Sequence, residues 1–392
     1  MTLEKLDFEF TEEQKLIRTR VKELCASFPN EYWRKTDRER KYPESFVNEL
    51  SKSGLLSALI PEEYGGSGLG ILEGGIILEE INRSGGNSAA CHAQMYTMNV
   101  LLKHGSELLK DAHLRKIAKG ELRLQAFAVT EPEAGIDTTK IKTSAAKEGN
   151  KYVINGRKVF TSRVQHSDLM ILLARTSSVD PSGVKKTAGM SVFLVDLRKA
   201  GDSIRSVPIE TMINHETNEL FIENLEIPEE NLIGKPGEGF EYVLDGINPE
   251  RILIAAECIG DAKFCLDRAV KYAKERVVFD RPIGMNQGIQ NPLAQVYAKI
   301  EAADLMRYKA SVLYDSNKPC GNEANMSKLL ASEASLESAN VAMSTMGGYG
   351  MTTSFDVERK LRESRLFIVA PIPNNMILSY ISEHILSLPR SY

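Results

Sequence analysis

Residues 246–290 read GINPERILIAAECIGDAKFCLDRAVKYAKERVVFDRPIGMNQGIQ and contain a strong helical pattern. Asn248 can cap the first free backbone N–H groups, and Pro249 suits the first helical position because its missing N–H would be unpaired there. Apolar residues then recur at spacings of three and four over about seven turns. These residues are Ile252, Ala255, Ala256, Ile259, Ala262, Leu266, Ala269, Val270 and Ala273. The pattern predicts a buried core helix that begins at Asn248 and ends near Glu275.

Glu250 places an acid in the first turn of this predicted helix. A carboxylate there complements the helix dipole, which is worth about 0.3–1 kcal/mol. Alternatively, Glu250 is a catalytic base that faces a pocket. The stretch alone leaves both interpretations open.

Composition and charge describe an ordinary globular protein of 392 residues, long enough for two or three packed units. The net charge of −4, with both signs interspersed, gives no indication of a nucleic-acid or anionic-membrane partner. The N-terminus lacks a basic, apolar leader, and no run approaches the ~18–20 apolar residues of a membrane span. We therefore expect a cytoplasmic protein without a membrane span.

The cysteines and histidines do not indicate a metal site or disulfides. The five cysteines lack C-x-x-C spacing, and the six histidines form no H-x-x-H pair or HExxH motif. We expect the thiols to be reduced and to serve as small apolar residues. The cysteines are Cys25, Cys91, Cys258, Cys265 and Cys320.

The spacing of apolar residues changes twice along the chain, which predicts three domains. Residues 1–122 are predicted to form an N-terminal α-helical domain, 123–236 a β-domain with antiparallel character, and 237–392 a domain of four long helices. The predicted N-terminal helices include one capped by Thr11 with Gln14, one begun by Pro43, and segments 71–84, 88–103 and 106–118. The glycine-rich loop IPEEYGGSGLG matches no phosphate-binding motif, so we interpret it as a plain turn.

Five β-rich runs separated by turn residues define the central domain. They are LQAFAVT, NKYVINGRKVFTS, DLMILLART, MSVFLVDL and NELFIENLEI. Asn155-Gly156 and the polar linker SSVDPSGVKKTAG are predicted turns or connections. After the central helix, further helices are predicted over about 286–315, 322–346 and 353–386. The fold class is therefore α+β, with a C-terminal four-helix bundle.

This order, with its motifs, resembles the flavin-dependent acyl-CoA dehydrogenase family over nearly the whole chain. AFAVTEPEAGIDTT is similar to the family's V-T-E-P-x-A-G-S-D turn, and NGRKVFTS to its N-G-x-K-x-W-I-T element. YAKERVVFDRPIGMNQGIQ resembles its Y-x-x-x-R-x-x-F-G-x-P-I-x-x-x-Q segment. MGGYGM followed by VERKLRESR resembles its G-G-x-G-Y and R-D-x-R pair.

The resemblance implies FAD as cofactor and two groups of residues that contact it. The first would supply backbone hydrogen bonds and an aromatic platform to the flavin ring: Phe127, Val129, Thr130, Phe160, Thr161 and Ser162. The second would reach the adenosine diphosphate half of FAD on a neighbouring subunit: Arg276, Phe279, Gln287, Gly347 and Gly348. Such shared sites imply a homo-oligomer, in this family most often a homotetramer built as a dimer of dimers. The alternative for Val129 and Phe160 is a place in the sheet core, for Thr130 a role in the turn, and for Arg276 that of a solvated cation at a helix end.

The resemblance also places the catalytic base. Many members carry it in a Y-E-G-T sequence near the C-terminus, but RESRLFIVAPIPNNM is followed by no acid before residue 381. Members that resemble isovaleryl-CoA and long-chain dehydrogenases place it on the central helix before an arginine, which here is Glu250 before Arg251. Asn248 and Arg251 would then flank the thioester. In the family a backbone N–H at the lost glutamate's position donates to the thioester carbonyl; counting from Arg362 places Pro371 there, which has no N–H, whereas counting back from SEHI places Ala370, which we prefer.

Three positions depart from the family pattern. Ile136 occupies a position where the family has a serine, and the resemblance implies that this position contacts substrate. Ser344 replaces a glutamine of the family, and Asp280 replaces a glycine that is common there.

The leading functional hypothesis is α,β-dehydrogenation of an acyl-CoA, as in fatty acid metabolism, with electrons passed to an electron-transfer flavoprotein. One alternative keeps the fold and flavin but performs another reaction, as in oxygenase or desulfinase-like members. Another is a flavin-containing binding protein without dehydrogenase activity. Acyl length and branching stay open, although a helix-borne base is compatible with branched or longer acyl groups.

Overall fold

Helices, a sheet and helices follow one another in the computed structural model, which describes residues 10–177 and 186–391. The helices before the sheet are α1 (Glu12–Ala26), α2 (Asn30–Glu39), α3 (Glu44–Lys52), α4 (Ile71–Arg83), α5 (Ala93–His104) and α6 (Glu107–Ala118). The strands are β1 (Leu124–Ala128), β2 (Ser144–Glu148), β3 (Lys151–Ser162), β4 (Leu169–Arg175), β5 (Met190–Asp196), β6 (Ile204–Ile209), β7 (Thr217–Pro228) and β8 (Leu232–Ile233). This order confirms the α+β class.

The C-terminal part begins with α7 (Gly239–Glu275), which packs against α4, α5, α8 and α9. The elements after α7 are the short pair β9 (Val277–Val278) and β10 (Arg281–Pro282), then α8 (Gln287–Asp315), α9 (Gly321–Met346), α10 (Val357–Leu366) and α11 (Asn374–Tyr380). Helices α8 and α9 confirm the predicted segments to within two residues. The predicted helix 353–386 is wrong in its continuity, because the segment between Leu366 and Asn374 contains Pro371 and Pro373.

The sheet is mixed and has the strand order β6-β7-β3-β2-β4-β5-β8, with β1 beside β4. Most neighbouring strands are antiparallel, as predicted, but β1 runs parallel to β4. All five predicted strands are present. Strands β2 and β6 were not predicted, because they consist largely of half-buried or exposed residues and lack a clear apolar face.

The Asn155-Gly156 pair is not a turn, which corrects the sequence prediction. Both residues lie inside β3, where the register with β7 shifts between Ile154 and Gly156. The Asn155 Oδ1 accepts from the backbone N–H of Asn224 at 2.8 Å. A Cβ at Gly156 would lie 2.3 Å from the Thr143 Oγ1, so this glycine permits close approach within the sheet. Of the predicted linker SSVDPSGVKKTAG, residues 178–185 lie outside the described residues.

Helix α1 begins as its sequence predicts. The Gln14 N–H donates to the Thr11 Oγ1 at 3.2 Å, and the Thr11 N–H donates to the Gln14 Oε1 at 3.1 Å. These two bonds form the capping box, so the predicted start is confirmed.

Helix α7 begins at Gly239, nine residues before the predicted start at Asn248. Pro249 therefore lies inside the helix, where it cannot donate to the carbonyl four residues earlier. That carbonyl belongs to Asp245, and it accepts instead from the Asn99 Nδ2 at 3.0 Å. The side chain from α5 replaces the missing backbone donor and allows the helix to continue.

The five cysteines are buried and free, as expected from their spacing. Within residues 10–177 and 186–391, no helix combines the length and apolar character that crossing a membrane requires.

Candidate active site

Glu250 is a buried carboxyl group, with 7% of its surface exposed, on α7 beside α5. Burial raises its pKa to about 7, and the nearby His92, Tyr96 and Arg251 oppose this increase. Because α7 begins at Gly239, Glu250 lies about three turns into the helix. The prediction that a helix N-terminus stabilises the Glu250 carboxylate is therefore wrong, because the helix dipole acts mainly within the first turn.

Three further side chains that the sequence analysis did not assign surround Glu250. Tyr96 on α5 is buried next to it, and burial and the Glu250 charge raise the pKa of Tyr96 well above its ordinary value. The His92 ring packs edge-on against the Tyr96 ring at 5.5 Å between centroids. The His92 Nδ1 lies 2.5 Å from the Oε1 of the fully buried Glu257. Tyr96 thus stays neutral as a donor near Glu250, and Glu257 is paired with His92.

The sequence spacing of these residues indicates which of them share a helix face. His92 and Tyr96 are four residues apart in CHAQMY, and Glu250 and Glu257 are seven apart on α7. Both spacings place the two residues on one helix face. The sequence alone did not show that these faces meet.

Asn248 and Arg251, the predicted thioester contacts, bind each other. The Arg251 Nη1 donates to the Asn248 Oδ1 at 3.1 Å. Arg251 is buried, which lowers the pKa of its guanidinium to about 10. Its Nε has no hydrogen-bond partner within the described part of the chain. One buried donor of Arg251 therefore lacks a partner, which is typical of a ligand site.

The Ala370 N–H, predicted to donate to a thioester carbonyl, is already occupied. It donates to the Leu366 carbonyl at 2.9 Å. The loop that contains it is held by the Lys328 Nζ, which donates to the Ile372 carbonyl and the Asn374 Oδ1, both at 2.8 Å. The predicted role of Ala370 thus requires the bond to Leu366 to open, and it stays a prediction.

A buried ion pair fixes the turn that contains Val129 and Thr130. The Lys158 Nζ donates to the Val129 carbonyl at 3.0 Å and to the Glu131 Oε1 at 2.9 Å. Burial lowers the pKa of Lys158 to about 8, although Glu131 opposes the shift. The Val159 N–H donates to the Thr130 carbonyl at 2.9 Å. This pair, which the sequence analysis did not assign, binds the turn to β3.

The end of β3 brings Phe160, Thr161 and Ser162 next to that turn. Phe160 has a φ of 56°, in the left-handed region that large side chains rarely adopt, and 64% of its surface is exposed. The Thr161 Oγ1 is buried and has no hydrogen-bond partner in the described residues. Strain and an unpaired buried hydroxyl together are typical of a ligand site.

Phe127 links the residues predicted to contact the flavin ring, here called the flavin-side group (Phe127, Val129, Thr130, Phe160, Thr161 and Ser162), to the surroundings of Glu250. It lies on β1, which packs against β3, and its ring is 6.3 Å from the Tyr96 ring between centroids. The predicted ring-binding residues and the predicted base therefore lie on adjoining elements.

The residues predicted to bind the adenosine diphosphate half are only partly brought together. Arg276, Gly347 and Gly348 line one surface depression of about 490 Å³, together with Ser344. Phe279 is 93% exposed, and neither it nor Gln287 at the start of α8 lines the depression. Ile136, predicted to contact substrate, is 60% exposed and joins neither group.

The residues present fit the FAD that the resemblance implies. Arg276 can donate two parallel hydrogen bonds to a pyrophosphate. A Cβ at Gly347 or Gly348 would meet no atom within 4 Å, so their backbone is open to a ligand. The exposed Phe160 ring and the unpaired Thr161 hydroxyl offer an aromatic face and a hydrogen-bonding group.

Three domain models of one family match the chain in order. They are "Acyl-CoA dehydrogenase, N-terminal domain" at residues 11–121, "middle domain" at 126–225 and "C-terminal domain" at 237–386. Acyl-CoA dehydrogenase FadE12 of Mycobacterium tuberculosis is 33% identical over 386 residues, 97% of this chain and 98% of that protein. Glutaryl-CoA dehydrogenase of Desulfococcus multivorans is 35% identical over 375 residues, 92% of each chain.

A solved structure gives the same result for the fold. The glutaryl-coenzyme A dehydrogenase glutaryl-CoA complex matches with a TM-score of 0.91 and 30% identity, over 98% of each chain. The chain therefore belongs to the acyl-CoA dehydrogenase family, and it is an acyl-CoA dehydrogenase with FAD as its cofactor.

Proposed function

We propose that the protein converts an acyl-CoA to the 2-enoyl-CoA, with Glu250 as the base that removes the α-proton. FAD, held by the flavin-side group and by Arg276, Gly347 and Gly348, would supply the hydride acceptor for the β-hydrogen when bound. The observation that carries this proposal is a buried carboxyl group, its pKa raised to about 7, beside Tyr96, whose ring lies 6.3 Å from the Phe127 ring between centroids. A general base works best when its pKa lies near the working pH.

The surroundings of Glu250 suit this task. Burial makes its carboxylate more basic than one in water, and the neutral Tyr96 hydroxyl keeps a donor beside it. The other buried acid nearby, Glu257, is bound to His92 and so is a poorer candidate. The free Arg251 Nε and the Asn248 amide would orient the thioester.

The test is anaerobic bleaching of the flavin absorbance by a panel of acyl-CoAs, with the wild type compared with Glu250→Gln. We expect at least one thioester to bleach the wild type. The variant should bind that thioester and retain FAD, but its reduction should be slower by at least about a hundredfold, the usual contribution of general base catalysis.

Asp267→Asn is the matched control, because Asp267 is an exposed acid on the same helix. It should bleach at the wild-type rate. Equal reduction of Glu250→Gln and wild type would show that Glu250 is not the base. A flavin that stays oxidised with every thioester, or is reoxidised rapidly by O₂ after reduction, would favour another flavin reaction or a non-catalytic role.

We further propose that the protein is a homotetramer and passes its electrons to an electron-transfer flavoprotein. The support for oligomerisation is that the depression lined by Arg276, Gly347 and Gly348 contains no member of the flavin-side group, and that Phe279, close to Arg276 in the chain, is exposed. Sedimentation of the purified holoenzyme tests the assembly. Catalytic reoxidation of the thioester-reduced enzyme by a purified electron-transfer flavoprotein tests the acceptor.

A further inference from the structure

The Ser162 hydroxyl has one hydrogen-bond partner within the described residues, and that partner is a histidine. The Ser162 Oγ lies 2.7 Å from the His215 Nε2. His215 is in the segment that leads into β7, and the two residues are 53 positions apart in the sequence. Either atom could carry the shared hydrogen, so the direction of this bond depends on the other side of the ring.

Arg163 determines that other side. Its Nη2 lies 3.4 Å from the His215 Nδ1, and its guanidinium is 2% exposed. The Arg163 backbone N–H also donates to the Glu216 carbonyl at 2.9 Å, which fixes the arginine beside His215. A guanidinium has donors and no acceptor, so the His215 Nδ1 must accept and cannot carry a hydrogen.

The charge state of His215 agrees with this geometry. Removal from water, together with the charges of Arg163 and His92, holds the pKa of His215 well below its ordinary value. The ring is therefore neutral near pH 7, and its single hydrogen is on Nε2.

The direction of the bond to Ser162 follows. The His215 Nε2–H donates, and the Ser162 Oγ accepts. The serine hydrogen then has no acceptor among the described residues. The reverse arrangement would put an Nδ1–H against the Arg163 guanidinium, which would bring two donors together.

We propose that His215 is a positioning residue that makes the Ser162 hydroxyl a hydrogen-bond donor toward the FAD ring. Arg163 selects the histidine tautomer that carries its hydrogen on Nε2. Because this Nε2–H donates to the Ser162 Oγ, the serine hydrogen stays available for the FAD ring. This inference rests on the proposed function, in which the predicted flavin contacts, Ser162 among them, bind FAD.

The test compares the FAD dissociation constant and the visible flavin spectrum of the holoenzyme and its variants. Ser162→Ala removes the hydroxyl, and we expect about fivefold weaker FAD binding and a shifted flavin absorption band, as for the loss of one hydrogen bond. His215→Asn keeps an acceptor for Arg163 but places no donor at the Nε2 position. It should shift the band in the same direction and weaken binding about threefold.

Two further variants separate positioning from general damage to the fold. His215→Gln places an amide donor near the Nε2 position, and it should bind FAD within about twofold of the wild type. In the double variant Ser162→Ala/His215→Asn, FAD binding should be no weaker than in Ser162→Ala alone, because both changes remove the same bond.

The inference fails if His215→Asn leaves the spectrum and affinity unchanged while Ser162→Ala alters them. It also fails if the two effects add in the double variant, or if His215→Gln is as impaired as His215→Asn. If Ser162→Ala itself changes neither the spectrum nor the affinity, the placement of Ser162 at the flavin is wrong as well. Bleaching by a thioester tests the proposed reaction independently of these outcomes.

Discussion

At the residue scale, Glu250 combines two properties that oppose each other. Burial makes the carboxyl group useful as a base, but it also disfavours the charged form in the folded protein. His92, Tyr96 and Arg251 offset only part of this penalty, because the pKa remains near 7. Glu250 should therefore reduce the stability of the fold where it is ionised, as functional residues often do.

This penalty predicts a pH-dependent gain in stability for Glu250→Gln. The folded protein favours the protonated carboxyl, so its contribution to stability is greatest below pH 4.5 and is lost as the pH rises to about 7. The loss amounts to at most about 3 kcal/mol, since one pKa unit corresponds to about 1.4 kcal/mol. At pH 8 the holoenzyme variant should melt roughly 2–4 °C above the wild type, and near pH 5 the two should coincide.

Differential scanning calorimetry of the two holoenzymes at both pH values measures this difference. Asp267→Asn serves as the control, because it removes an exposed carboxylate from the same helix. A constant difference between Glu250→Gln and wild type at pH 5 and pH 8 would contradict the assigned pKa.

At the element scale, helix α7 continues through Pro249 because α5 supplies the missing donor. The Asn99 amide donates to the Asp245 carbonyl, to which the Pro249 nitrogen cannot donate. The same contact joins α5, which bears Tyr96, to the segment of α7 that bears Glu250. Pro249 and Asn99 therefore help to place Glu250 beside Tyr96.

This contact predicts coupling between Asn99 and Pro249. Asn99→Ala leaves the partly buried Asp245 carbonyl unpaired, which should lower the free energy of unfolding by about 1–2 kcal/mol. Pro249→Ala restores an N–H that can donate to that carbonyl, so the loss of Asn99 should cost less in this background. Denaturation of the four proteins measures the coupling, and an equal penalty in both backgrounds would exclude the proposed role of Asn99.

The same helix shows what the sequence could predict and what it could not. Its apolar spacing and its end at Glu275 were correctly predicted, because they depend on local periodicity. Its start was not, because Asn248-Pro249 has the local pattern of a helix N-terminus, and the donor that lets the helix continue, Asn99, is 146 residues before Asp245. The partners of Glu250 and Ser162 were missed for the same reason, since they come from other elements.

At the scale of the whole molecule, the two groups predicted to bind FAD lie on different parts of the chain. The residues around Phe160 are on the sheet, whereas Arg276, Gly347 and Gly348 line a depression formed by the ends of α7 and α9. Phe279, between β9 and β10, has a φ of 52° and is 93% exposed. The next residue, Asp280, has a φ of 62°, which accounts for the glycine common at this position in the family. A strained, exposed aromatic side chain beside this depression favours contact with a second copy of the chain.

Phe279→Ser should therefore weaken assembly and FAD binding together. Burying a phenylalanine side chain contributes about 1.5–3 kcal/mol, so its loss should raise the concentration at which the oligomer dissociates by at least about tenfold. FAD should be lost over the same dilution range, because the cofactor is proposed to bridge two subunits. Sedimentation velocity with simultaneous detection at protein and flavin wavelengths follows both events. Leu108→Ser, which changes an exposed apolar residue on α6, should leave both unchanged. If the oligomer dissociates while each subunit keeps its FAD, the whole cofactor site lies within one chain. That result would contradict the proposal that Phe279 contributes to an FAD site shared between two subunits.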